Sequence, residues 1–196
     1  KIIQGGLSKS IIPKTSIEEC LTDAGLIKKT SSGLNVEFIN PFIEGAIEAI
    51  RVQAQMEPSA GSPFMRGLGP EIRIDLIASL GLISKTFKGT IALCFPAETF
   101  LGIISKMLSQ EFTELSEDNA DAAGEILNII FGIAKENLNR KGYGIQQAIP
   151  NVIRGTGLEL KAMTSEPTII LPISTPAGPF QIHIGLTPQN IEKKGA

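Results

Sequence analysis

A single histidine and two cysteines are the only imidazole and thiol groups in this 196-residue chain. Zinc centres need clustered thiols or imidazoles, and Cys20 and Cys94 stand in no metal spacing, so no metal site is expected. Cys94 lies inside TIALCF, a run that reads as a buried strand, where cysteine behaves as a small hydrophobe. Two unclustered thiols point to a reducing, cytoplasmic setting. Nothing approaches the run of about 18 apolar residues that a membrane span requires. Basic residues are scattered, with lysine pairs only at Lys28-Lys29 and Lys193-Lys194, and the net charge is −2. Neither nucleic acid nor an anionic membrane is therefore indicated as a partner. There is no G-x-S-x-G, no Cys–His arrangement and no P-loop, which argues against a hydrolase with its own nucleophile. The first residue is Lys1 rather than Met, which leaves the natural start open.

What is present fits one globular domain: 42% of the residues are hydrophobic and 19% charged. The chain is organised around Leu115 to Gly142, which the periodicity predicts to be one long amphipathic helix. At about 100° per residue, Ala122, Ala123, Ile126, Leu127, Ile129, Ile130, Ile133, Ala134 and Leu138 fall in one broad apolar sector. Asp121, Glu125 and Asn128 fall opposite, at i, i+4 and i+7, and Lys135 and Asn139 continue the row. Ser116 is the candidate N-cap, and Gly142 the stop.

An acid, an acid and a carboxamide on a polar helix face are also what an ordinary wetted surface shows. Gly124 and Gly132 set this row apart, because they stand four residues before and after Asn128 and leave it without bulky longitudinal neighbours. Each glycine costs a helix interior roughly 1 kcal/mol relative to alanine. Close approach of another body and close helix–helix packing both account for them.

Taken with Pro150, the row Asp121-x3-Glu125-x2-Asn128-x21-Pro150 resembles the signature of the CheC/CheX family of chemotaxis phosphatases. LNVEFINPFIEGAIEAI, Leu34 to Ile50, resembles the opening of CheX-like members in particular, and the likeness extends to about Leu186. The resemblance implies dephosphorylation of the aspartyl phosphate of a CheY-like response regulator in chemotaxis or related two-component signalling. It implies Asn128 and Glu125 as catalytic residues, with Asn128 positioning the water. Asp121 and Glu125 would then meet the partner, Gly124 and Gly132 permit access, and Pro150 supports the motif. No cofactor is expected on this chain, with Mg²⁺ held by the partner regulator. A homodimer paired through sheet edges is also implied. The rival reading is a non-catalytic docking module for a response regulator or a flagellar switch component.

In chain order, 1–33 reads as an appendage or linker, 34–187 as the CheX-like domain and 188–196 as a polar tail. Asn35 to Ile39 is expected as a strand, with Asn40 capping a helix that starts at Pro41 and runs to about Gln55. Asn40-x3-Glu44-x2-Ile47 repeats the spacing of the central row with its last position apolar, like a disabled second copy. Glu57 to Pro70 reads as a loop whose apolar Phe64 and Met65 either dock on the core or present a partner contact. Glu71 to Leu82 and Lys85 to Phe95 form a hairpin, followed by a helix from Pro96. Ile145 to Ile153 reads as a strand interrupted at Pro150, which marks an edge or a bulge there. Thr168 to Ser174 and Phe180 to Leu186 close the domain, with His183 an ordinary strand residue on the face opposite Phe180. The resulting fold class is α+β, with helices packed on one face of a largely antiparallel sheet, CheX-like or CheC-like.

Overall fold

The computed structural model describes residues 36–147, 149–159 and 168–188. The expected appendage at 1–33 and the tail from residue 189 lie outside them. Among the described residues, three helices of two turns or more cover one face of an eight-stranded antiparallel sheet. Helix α1 is Val36–Ala54, and the short strands β1 (Ser59–Ala60) and β2 (Phe64–Met65) follow it. Next come β3 (Leu76–Ile83), β4 (Phe87–Phe95) and α2 (Ala97–Leu108). The one-turn helix α3 (Glu117–Ala120) leads into α4 (Ala122–Arg140), then β5 (Gln146–Gln147) and β6 (Asn151–Arg154). Strands β7 (Thr168–Thr175) and β8 (Gly178–Pro188) complete the order. Spatially the sheet runs β1-β7-β8-β4-β3-β5, with β2 also on β7 and β6 also on β3.

Alternation along the strands sorts the two faces. Leu76, Ala78, Leu80 and Leu82 of β3 share the large core with Leu93 and Phe95 of β4 and with Phe180, Ile182 and Ile184 of β8. On that face α1 lies between α4 and α2. The other face carries a smaller cluster of Ile77, Ala92 and Cys94. Gln181 and His183 are buried there too.

Several expectations need correcting. Val36 to Ile39 is helical, so Asn40 is not a cap and Pro41 sits inside α1. A strand would send Phe38 and Ile39 to opposite faces, yet both are wholly buried. Phe38 instead extends the helical stripe, with its ring 5.4 Å from Phe42 and 5.4 Å from Phe87. Burying such a side chain gives about 1.5–3 kcal/mol. That is comparable to the cost of the helical hydrogen bond that Pro41 cannot donate. The 57–70 stretch is not a plain loop, because β1 and β2 pair with β7. Met65 is buried and Phe64 half-buried, so docking on the core is the reading that holds for Met65. The first hairpin strand starts at Leu76 rather than Glu71, and 145–153 divides into β5 and β6. Both halves pair with β3, as an edge broken near Pro150 would. The hairpin β3–β4 and the turn at Thr175–Gly178 stand as read.

Candidate functional site

The central stretch is two helices rather than one. Ser116 begins α3: its Oγ accepts the Asn119 N–H at 3.3 Å, and Asn119 Oδ1 accepts the Ser116 N–H at 3.0 Å. This reciprocal box satisfies two of the N–H groups that a helix start leaves over. Asn119 also donates to the Glu114 carbonyl at 2.9 Å, holding the approach to the site. Asp121 joins the two helices with φ −61 and ψ −25, so the helical path continues, and its carboxylate makes no capping bond. At the far end Gly142 takes φ +88, which suits glycine and ends α4 where expected. Asn139, expected in the polar row, has a structural task. Its Oδ1 accepts the Ile145 N–H at 2.6 Å and its Nδ2 donates to the Ile145 carbonyl at 3.2 Å.

Ala123, Ile126, Leu127, Ile130 and Phe131 bury one side of α4. Asp121 and Glu125 are exposed on the other side, and Asn128 is half-buried one turn further on. The three thus share the outward face that the spacing requires. In α1 the matching positions diverge: Glu44 is exposed, while Ile47 is only 4% exposed and belongs to the core. One helix presents the row and the other absorbs its third position.

The two glycines differ in surroundings. A Cβ on Gly132 would meet nothing within 4 Å. Gly124 is buried, and a Cβ there would stand 3.4 Å from Val152 Cγ2 and 3.8 Å from Pro150 Cβ. The space beside Gly124 is therefore filled by the chain's own edge strand, and only Gly132 of the pair opens outward. Pro150 thus lies against the first turn of α4, at the residue before Glu125.

Glu117, Asp118, Asp121 and Glu125 give this end of α4 a run of exposed carboxylates. Arg154 on β6 reaches Glu117 at 3.8 Å, with both side chains largely exposed. Such a pair is worth under about 1 kcal/mol, so the region stays acidic and suits a cationic partner surface.

The perturbed titratable groups lie elsewhere. Asp75 is 3% exposed. Burial alone would raise its pKa, but the N–H groups of Gly157 and Ala97 and the Arg73 guanidinium outweigh that and hold it below the usual value. This carboxylate, which the sequence pattern did not single out, ties the start of β3 to α2 and to the segment after β6. His183 faces away from the helices and holds Gln181 Oε1 at 3.0 Å from its Nε2. Burial, with the Arg66 charge adding to it, pushes its pKa down to about 4. Cys94 is pushed up to about 12 by burial, so it is an inert thiol. Among the described residues no group of three or more His, Cys, Asp or Glu is placed to hold a metal ion. No helix among them is long and apolar enough to cross a membrane.

The fold is thus an antiparallel sheet with helices on one face, and an acid–acid–amide row stands on the outward side of α4 and its first junction. The profile of the family described as chemotaxis phosphatase CheX matches residues 76–174, about half of the chain. The chain belongs to that family. No curated protein matches it. Among solved structures, a CheC-like superfamily protein from Shewanella sp. PV-4 superposes with a TM-score of 0.73 at 29% identity, over 79% of this chain and 99% of that one. Chemotaxis protein CheX from Vibrio vulnificus gives 0.72 at 27% identity, over 78% and 100%. The CheX chain of the CheX–CheY–BeF3–Mg²⁺ complex from Borrelia burgdorferi gives 0.58 at 23% identity, over 76% and 97%, a likeness of fold.

Proposed function

We propose that this chain removes the phosphoryl group from the aspartyl phosphate of a CheY-like response regulator, with Asn128 positioning the attacking water. The observation that carries the reading is the placement of Asn128 on the outward face of α4, one turn beyond exposed Glu125 and four residues before open Gly132. Membership of the CheX phosphatase family supports the activity, and the Borrelia CheX bound to CheY supports the class of partner.

An acyl phosphate is an activated mixed anhydride, so positioning supplies most of what its hydrolysis needs. The water oxygen bonds to phosphorus as the bond to the aspartyl oxygen breaks. The aspartate leaves as carboxylate, and the water proton passes to the phosphate product or to solvent. A carboxamide accepts from the water through Oδ1 and donates through Nδ2 without adding negative charge beside the phosphoryl group. Glu125 engages a cationic side chain of the regulator, and Asp121 extends that attraction at the rim. The Mg²⁺ belongs to the regulator.

The test is phosphate release from a phosphorylated CheY-like receiver with Asn128→Ala. The variant is expected to keep the wild-type far-UV spectrum and to lose more than tenfold in rate, or about 1.4 kcal/mol at the barrier. An unchanged rate removes Asn128 from the mechanism and leaves the docking-module reading.

A further inference from the structure

We propose that Ile149, which directly precedes the proline packed near Gly124 of α4, is an apolar anchor for the regulator's receiver domain; the proposal rests on the function proposed above. Ile149 is 90% exposed, more than any other large hydrophobic residue among those described. A single exposed isoleucine is unremarkable in itself. Its mounting is what matters. It directly precedes Pro150, and a residue before proline is confined to extended backbone. Pro150 in turn rests 3.8 Å from the position a Gly124 Cβ would take, and Gly124 directly precedes Glu125. On the following side, Asn151 to Arg154 are held in register against Ser79 to Leu76 of β3. A bare isoleucine is thus carried on a braced segment at the first turns of the helix that bears the row.

The surrounding surface indicates what would cover it. Glu117, Asp118, Asp121 and Glu125 are exposed around the same end of α4. Charges set orientation and encounter rate, whereas a desolvated apolar contact gives most of the affinity and slows departure. The matching partner face carries a cationic side chain near its phosphoryl aspartate and an apolar patch within a side chain's length of it. A second copy of this chain, pairing along the edge formed by β5 and β6, is the competing occupant. A second copy would bring the same carboxylates with it and leave Glu117, Asp118, Asp121 and Glu125 uncomplemented, whereas a cationic partner face complements them.

Three measurements on the full chain decide it, using purified CheY-like receiver domains activated with beryllofluoride and Mg²⁺ and the same receivers carrying phosphate. Ile149→Ser is expected to weaken binding of the activated receiver at least fivefold and to raise KM similarly, with kcat within twofold. Ile149→Leu is expected to restore both. The oligomer mass by light scattering is expected to stay that of the wild type. Unchanged affinity in Ile149→Ser overturns the anchor while leaving Asn128 untouched. A fall in oligomer mass alongside the affinity loss overturns it in favour of the second copy. If no activated receiver binds the wild-type chain, the function proposed above fails and the anchor fails with it.

Discussion

A Cβ on Gly45 would stand 2.7 Å from the carbonyl oxygen of Ile130. This is the contact that sets the separation of α1 and α4, and it lets the backbone of the helix bearing the row pack directly against its neighbour. Glycine is required at position 45 for lack of room rather than for backbone freedom. Gly45→Ala is expected to destabilise the fold by about 1–3 kcal/mol, since a backbone atom has to move to admit the methyl group. Urea unfolding followed by circular dichroism checks this, and a midpoint equal to wild type would show that the helices separate freely.

Gly132 poses the opposite case. Nothing lies within 4 Å of the place its Cβ would take, and its backbone is helical, so alanine costs the fold nothing there. Gly132→Ala is expected to gain about 0.5–1 kcal/mol from helix propensity and reduced unfolded-state entropy, and to raise Tm. If the open space exists to admit a regulator, the same variant slows dephosphorylation. A more stable protein with full activity would mean that Gly132 serves no approach.

Legibility in the sequence followed the range of the interactions. The apolar spacing of α4, the capping role of Ser116 and the Gly142 stop are local features and stand in the structure, although Ser116 caps α3 and the stretch divides at Asp121. The β3–β4 hairpin and the β7–β8 turn were legible for the same reason. The start of α1 was not, because Asn40-Pro41 is itself a start signal. What overrides it is Phe38 meeting Phe87, 49 positions away in this numbering. The row on α4 was readable from spacing alone. The burial of Gly124 under Val152 and Pro150, the bracing of Ile149 and the ties made by Asp75 depend on pairing with β3, which no local pattern encodes.

Restoring the row's third residue in α1 should fail. Ile47 is 4% exposed, so Ile47→Asn removes a packed branched side chain and buries an amide in its place. A loss of roughly 3–5 kcal/mol is expected from the cavity and the unsatisfied polar group together. Thermal unfolding is expected to show the loss, with no gain in phosphate release per molecule. A stable variant with a second working centre would show that the surface around Ile47 is already open.

Glu125 separates docking from chemistry. It is exposed on α4, so reversing its charge perturbs nothing buried, and Glu125→Lys is expected to leave Tm within about a degree or two of wild type. Binding to a beryllofluoride-activated receiver is expected to weaken at least tenfold, because a cation then faces a cation. Adding salt is expected to narrow the difference between variant and wild type, as screening weakens both the attraction and the repulsion. Undiminished binding would place the regulator's cation elsewhere on the surface.

His183 offers a test of the other sheet face. Its imidazole titrates at about 4 in the folded chain, against an ordinary 6.5, because burial opposes the charged form and Arg66 adds to the effect. The unfolded chain therefore takes up the proton first as the pH is lowered. Stability from this group is complete above about pH 6.5 and declines as the pH falls toward 4. Below that both states are protonated and the contribution is flat. At roughly 1.4 kcal/mol per unit the full decline is about 3 kcal/mol. His183→Gln removes the titration but keeps a side chain able to donate to Gln181, which now bonds Nε2 at 3.0 Å. Urea midpoints measured from pH 7 to pH 4 are expected to fall less steeply for the variant than for wild type. Parallel curves would mean that the folded chain already accommodates the imidazolium, and that the pocket of about 380 Å³ which His183 lines with Arg66 and Glu159 admits enough water to solvate it.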